Sequence, residues 1–234
     1  ALMVSLGSFA KGPESNKLTK KEQKEGWELL FDGKTFNGWC GFGRTDIPKA
    51  WTIEDDAIKI NSARDSKNRD GGDIFYYRKF RNFELSFSWR VAKGSNSGIF
   101  YLGQIVPNVP FFCTAPEYQV LDNENHPDAN YGKDGNRRSA SLYDMKPAVP
   151  QNSKPYGEWN TGKIVVKDNK VTHYQNGKKV VEYTIKDDAW KALLEDSKFK
   201  NEKEMRKVGD RPGYFSLQDH GDDVWFKDIK LRKL

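Results

Sequence analysis

The chain has 234 residues, 36% of them apolar, with 39 Lys and Arg against 33 Asp and Glu, a formal charge of +6. That supplies a core for one or two compact domains, argues against disorder, and leaves no apolar run near the roughly 20 residues of a membrane-spanning helix. The basic excess is spread along the sequence without a block that could track a phosphate backbone, so nucleic acid is not expected as a partner.

In chain order, the first ten residues, ALMVSLGSFA, are apolar and small and read as the end of a secretory leader. They predict export to the periplasm, the outer membrane or the medium. Residues 11–25 are polar and charged and read as a linker, so a single folded domain is expected over 26–234. Cys40 and Cys113 stand 73 positions apart without CxxC or His-rich company, which excludes a disulfide scaffold and a zinc ribbon. Export would permit one bridge between them, and two buried thiols are the alternative.

Phe83, Leu85, Phe87, Trp89 and Val91 alternate with Glu84, Ser86, Ser88 and Arg90, the period of a strand with one buried and one wet face. The following stretch, Gly94 to Gly98, holds Asn96, and a glycine within a strand marks either a plain turn or a close approach. On the next strand Glu117 and Gln119 share one face while Tyr118 and Val120 share the other. Polar groups two apart can reach adjacent hydroxyls of a sugar; a solvated outer face explains them as well. Residues 122–160 are rich in Asn, Asp, Gly, Pro and Ser, a long irregular loop of the functional or the flexible kind. It carries His126, Arg138 and Trp159, the last a stacking platform for a pyranose if exposed and a core residue if buried.

Beyond the loop, Ile164–Val166, Val171–Gln175 and Val180–Ile185, separated by Asp168-Asn169 and Asn176-Gly177, predict consecutive hairpins. Asp187 or Asp188 caps a helix with Trp190, Leu193 and Leu194 on one stripe, and 198–207 reads as a solvated excursion. Gly213–His220 and Val224–Leu231 predict another strand pair around Gly221-Asp222-Asp223. Ser216, Gln218 and His220 share a face there. His220, at a sheet rim, is a candidate base near neutral pH or an imidazole without a task. No Ser-His-Asp signature, nucleotide-binding glycine loop or HExxH occurs, so hydride transfer, phosphoryl transfer and zinc proteolysis lose support. Many short strands with turns between them predict a two-sheet sandwich or jelly roll.

Several segments, each weak alone, are specific in their order and spacing. They are Leu30-Phe31-Asp32-Gly33-Lys34 with Gly38-Trp39, Ser95-Asn96-Ser97-Gly98-Ile99, Glu117-Tyr118-Gln119-Val120-Leu121-Asp122-Asn123, Gly157-Glu158-Trp159-Asn160, His173-Tyr174-Gln175-Asn176-Gly177 and Gly213 to Gly221. Together they resemble the 3-keto-disaccharide hydrolase domain, formerly a domain of unknown function, from about Gly26 to Leu234. The resemblance implies an all-β, concanavalin A-like jelly roll of two antiparallel sheets with one or two short helices, commonly exported, that cleaves glycosides oxidised at C3. In β-glucanases of this fold the catalytic carboxylates follow E-x-D-x-x-E. Here the strand reads Glu117-x-Gln119-x-x-Asp122, so a retaining two-carboxylate mechanism is not expected.

A C3 ketone acidifies the proton on C2, which opens a route through an enolate that expels the group on C1. For that route His220 is the expected base, and His126 the alternative. Glu117 is the expected acid or, with His220, a ligand to a divalent cation; the sequence shows no ligand cluster that requires a metal. Asn96, Gln119, Asp122, Arg138, Trp159 and Gln218 are the expected substrate-binding residues. The competing reading is a non-catalytic carbohydrate-binding module on the same fold.

Overall fold

In the computed structural model, which describes residues 14–62 and 69–234, thirteen strands form two antiparallel sheets. The larger has eight strands. Its order is β11 (Lys178–Thr184), β10 (Lys170–Gln175), β9 (Asn160–Lys167), β6 (Phe83–Val91), β13 (Val224–Lys233), β4 (Ala57–Ile60) and β3 (Trp51–Glu54), with β1 (Trp27–Leu29) also paired to β13. The smaller has five, in the order β2 (Trp39–Gly41), β5 (Ile74–Tyr76), β12 (Tyr214–Leu217), β7 (Asn96–Gly103) and β8 (Glu117–Leu121). This is the jelly-roll sandwich expected from the strand periodicity.

The expected hairpins form as the meander β9–β10–β11. Both residues of each two-residue turn, Asp168-Asn169 and Asn176-Gly177, have positive φ, which suits the right-handed twist of the flanking strands. Phe83, Leu85, Phe87, Trp89 and Val91 are all buried, and across the interior they meet Ile99, Tyr101, Tyr118, Val120, Phe215 and Leu217 of the five-stranded sheet. Phe87 and Tyr118 touch edge to face with ring centroids 5.2 Å apart. The core also holds one imidazole. His173 Nδ1 lies 2.9 Å from the Ala140 carbonyl, and Tyr101 Oη lies 2.7 Å from Nε2. Burial pushes the His173 pKa down to about 4, so the ring is neutral and structural.

The helix appears as α2 (Asp188–Glu195), capped by Asp187, whose carboxylate accepts from the Trp190 N–H at 2.7 Å. Trp190 stacks on Tyr183 at 5.3 Å. Three expectations differ from the structure. The strands β12 and β13 do not pair: each has a buried face, and they belong to different sheets, so Gly221-Asp222-Asp223 is a crossing between layers. Residues 198–207 are not wholly solvated, because Phe199 and Met205 are buried. The polar stretch before Gly26 is bound to the body: Asn16 bonds to Asp228 and Asp56, and a capped helix α1 (Lys20–Lys24) places Glu22 against Lys230. Cys40 and Cys113 are free thiols. The apolar leader lies outside the described residues. Among the described residues no helix is long and apolar enough to cross a membrane.

Candidate active site

The face of the five-stranded sheet turned away from the core carries a cavity of about 290 Å³. Strand register explains its lining. Pairing sets Phe75, Ser216, Phe100 and Glu117 in one row across β5, β12, β7 and β8. The Gln218 N–H donates to the Gly98 carbonyl, and Gly98 pairs with Gln119, which makes the neighbouring row of the same face. The alternation that buries Tyr118, Val120, Phe215 and Leu217 therefore turns Glu117, Gln119 and Gln218 to the cavity.

Gly98 has a specific task. A methyl group built there would overlap Oε1 of Glu117, so the bare strand is what lets this carboxyl lie across β7. Glu117 is 5% exposed, and Phe100, its neighbour in the row, belongs to an apolar cluster with Phe111, Ala115 and Tyr214. Burial and the negative charges of Asp73 and Asp128 push the Glu117 carboxyl up to about 8, against the opposing pull of Lys198. It is a proton donor at neutral pH.

Asp73, one residue before β5, enters the same cavity. It keeps some exposed surface yet is enclosed by protein on most sides, and this desolvation, with the nearby charge of Asp219, pushes it up to about 7. The Asp219 N–H donates to Asp73 Oδ1 at 2.8 Å and works the other way. Asp219 is itself fixed by Arg69 through two bonds of 2.6 Å and by the Gly72 and Gly221 N–H groups. Phe112, Tyr143 and Lys198 complete the lining from connecting segments, with Lys198 Nζ 4.3 Å from the Tyr143 ring centre.

Of the residues expected from sequence, Asn96, Glu117, Gln119, Gln218 and His220 line this cavity. Among the described residues, the buried Asn96 Oδ1 and Gln218 Oε1 have no hydrogen-bond partner. Gln119 is partly committed, since its Nε2 donates to the Arg137 carbonyl at 3.3 Å. His126 lies behind His220, ring centroids 6.1 Å apart. Three expected residues stand elsewhere. Asp122 is buried and its oxygens accept from the backbone N–H groups of Gly94 and Glu124, which fixes a turn. Arg138 is exposed, its Nε directed to the Ala129 carbonyl. Trp159 packs over the outer face of the eight-stranded sheet, between Arg90 and Lys227. Sequence reasoning missed Asp73, Phe112, Tyr143, Lys198 and Asp219. Only Asp73 carried a local signal, a carboxylate directly after the pair Gly71-Gly72.

The model of the 3-keto-alpha-glucoside-1,2-lyase-like domain matches residues 26–232. A 3-keto-disaccharide hydrolase of Bacteroides thetaiotaomicron is 47% identical over 250 aligned positions, covering 99% of this chain and 86% of that protein. The crystal structure of a candidate glycosyl hydrolase from Parabacteroides distasonis superposes with a TM-score of 0.83 at 30% identity, covering 94% of this chain and all (100%) of that one. A Bacillus subtilis protein with a galectin-like fold superposes at 0.52 with 11% identity over 94% of each chain, a likeness of fold alone.

Proposed function

The chain belongs to the 3-keto-alpha-glucoside-1,2-lyase-like family, and on that premise we propose that it cleaves 3-keto glycosides in the cavity over the five-stranded sheet. It is a glycoside-cleaving enzyme. The observation that carries this reading is Glu117, a buried carboxyl held protonated in a cavity it shares with Asp73 and the amides of Asn96, Gln119 and Gln218. A binding module has no use for such a group, whereas a leaving alkoxide needs a proton.

The step that suits the geometry is elimination followed by hydration. Asp73, whose pKa lies near neutrality, takes the proton from C2, and the electron pair moves into an enolate across C2 and C3. The C1–O bond then breaks as C1=C2 forms, and Glu117 gives its proton to the departing oxygen. Water adds to C1 of the enone and a proton returns to C2, which yields the free 3-keto sugar. Asn96 and Gln218, whose buried oxygens lack partners among the described residues, accept from sugar hydroxyls. His220, the base suggested by the sequence, stands half-exposed beside His126 and Asp222.

Cleavage of a 3-keto glucoside in D₂O tests the route. The released sugar is expected to carry deuterium at C2, and Glu117→Gln to slow release by roughly 10²–10⁴-fold. Release with the original C2 proton retained would contradict elimination.

A further inference from the structure

The two sides of the cavity are built differently. Asp73 stands just before β5 and Gln218 and Asp219 follow β12, whereas Glu117 lies on β8, the edge strand of the sheet. Three strand spacings separate β5 from β8, about 14 Å. With Asp73 at C2 and Glu117 at the glycosidic oxygen, the departing group lies on the β8 side.

That side is walled by Phe112, Tyr143 and Lys198, none of which has a part in the bond-breaking steps. Tyr143 is tied to the strand: its N–H donates to the Glu117 carbonyl at 3.1 Å and its hydroxyl to Asp128 Oδ2 at 2.9 Å. Phe112 sits in a single turn, Phe111–Cys113, and is 43% exposed. Lys198 follows α2, and its N–H donates to Asp144 Oδ2 at 2.7 Å, which anchors the base of the side chain.

The ammonium of Lys198 rests among rings. Its Nζ lies 4.3 Å from the ring centre of Tyr143, 5.1 Å from that of Phe199 and 5.8 Å from that of Phe112. Ring faces attract an ammonium but do not replace an oxygen acceptor for its three N–H groups. Among the described residues no carboxylate forms an ion pair with it, whereas Lys186, Lys191 and Lys207 nearby in the chain each have one. Asp128 and Asp144 are both bridged by Arg137, and Glu117 holds its proton. The leaving-group side therefore presents one fixed cation whose counter-charge the described residues do not supply.

We propose that Lys198, with Phe112 and Tyr143, forms a leaving-group pocket that selects glycosides whose aglycone carries a carboxylate. The place of the aglycone rests on the proposed function; the attraction of this corner for an anion does not. An unpaired ammonium donates a charge-assisted bond to a carboxylate and only an ordinary one to an amide of the same shape.

Two 4-nitrophenyl 3-keto glucosides test the pocket, one with a carboxylate at ring carbon 3 and one with a carboxamide there, each in both anomers. The carboxylate-to-carboxamide ratio of kcat/KM is expected to fall about tenfold in Lys198→Met, further in Lys198→Glu, and to hold in Lys198→Arg. Comparing ratios cancels the difference in leaving ability and any common effect on Glu117 or on folding. Dissociation constants of the unoxidised pair give the same comparison without chemistry. A ratio equal in wild type, Lys198→Met and Lys198→Glu, or both rates falling alike, would overturn the pocket. Cleavage without a Lys198-dependent preference would remove the pocket and leave the proposed function. No cleavage of the keto pair, with the preference kept in binding of the unoxidised pair, would remove the function and leave the anion site.

Discussion

At the scale of single residues, the candidate site depends on an absent side chain as much as on those present. Glu117 reaches across β7 because position 98 has no Cβ, and the backbone there is not in the left-handed region, so what an alanine would meet first is the Glu117 side chain. Gly98→Ala is therefore expected to keep the fold and displace Glu117, with release from a 3-keto glucoside falling at least tenfold and unfolding little changed. Equal activity in the variant would show that the carboxyl need not lie over the strand. The facing of Glu117, Gln119, Gln218 and His220 was legible in the sequence, because period two allows one face to be buried and the other to be used. Asp73 was not legible as their partner, since it joins them through the order of strands and not through its neighbours in the chain. Trp159 misled for a related reason: an aromatic among polar residues suits a sugar platform, yet it leads into β9 of the eight-stranded sheet and so lies on the opposite side of the sandwich.

At the scale of elements, the strands and their turns were read well and their assignment to sheets was not. Gly213–His220 and Val224–Leu231 look like a hairpin because a glycine-containing turn separates them. Each must bury an apolar face, however, and the two faces close the sandwich from opposite layers. The crossing between them is fixed by Asp219, whose side chain is 1% exposed and is bridged by Arg69. Removing the guanidinium would leave a buried carboxylate without its counter-charge, which costs about 3–5 kcal/mol. Arg69→Met is thus expected to lower the free energy of unfolding by that amount in urea titration, and to loosen Asp73, which the Asp219 backbone holds. A loss under about 1 kcal/mol would mean that this pair behaves as a surface salt bridge.

At the scale of the whole molecule, stability near neutrality is a contest between buried titrating groups. Glu117 and Asp73 bind protons more tightly folded than unfolded, so they favour the folded chain progressively as pH falls from about 8. His173 does the reverse. Its folded pKa of about 4 lies below the ordinary 6.5, so between those values the unfolded chain holds the proton that the folded chain refuses. Stability contributed by this ring is complete above 6.5 and is lost as pH falls toward 4, on the order of 3 kcal/mol. Urea unfolding at several pH values should therefore show a flatter acid limb for His173→Gln than for the wild type; parallel limbs would place the acid sensitivity elsewhere.

The proposal that joins these scales is cleavage that depends on a ketone at C3, and paired substrates test it most directly. Initial rates of aglycone release would be measured for a chromogenic 3-keto glucoside and for the same glucoside unoxidised. Release from the keto substrate alone is predicted, because only a ketone makes the C2 proton removable by a carboxylate. Equal release from both substrates would contradict it and point to direct displacement at C1.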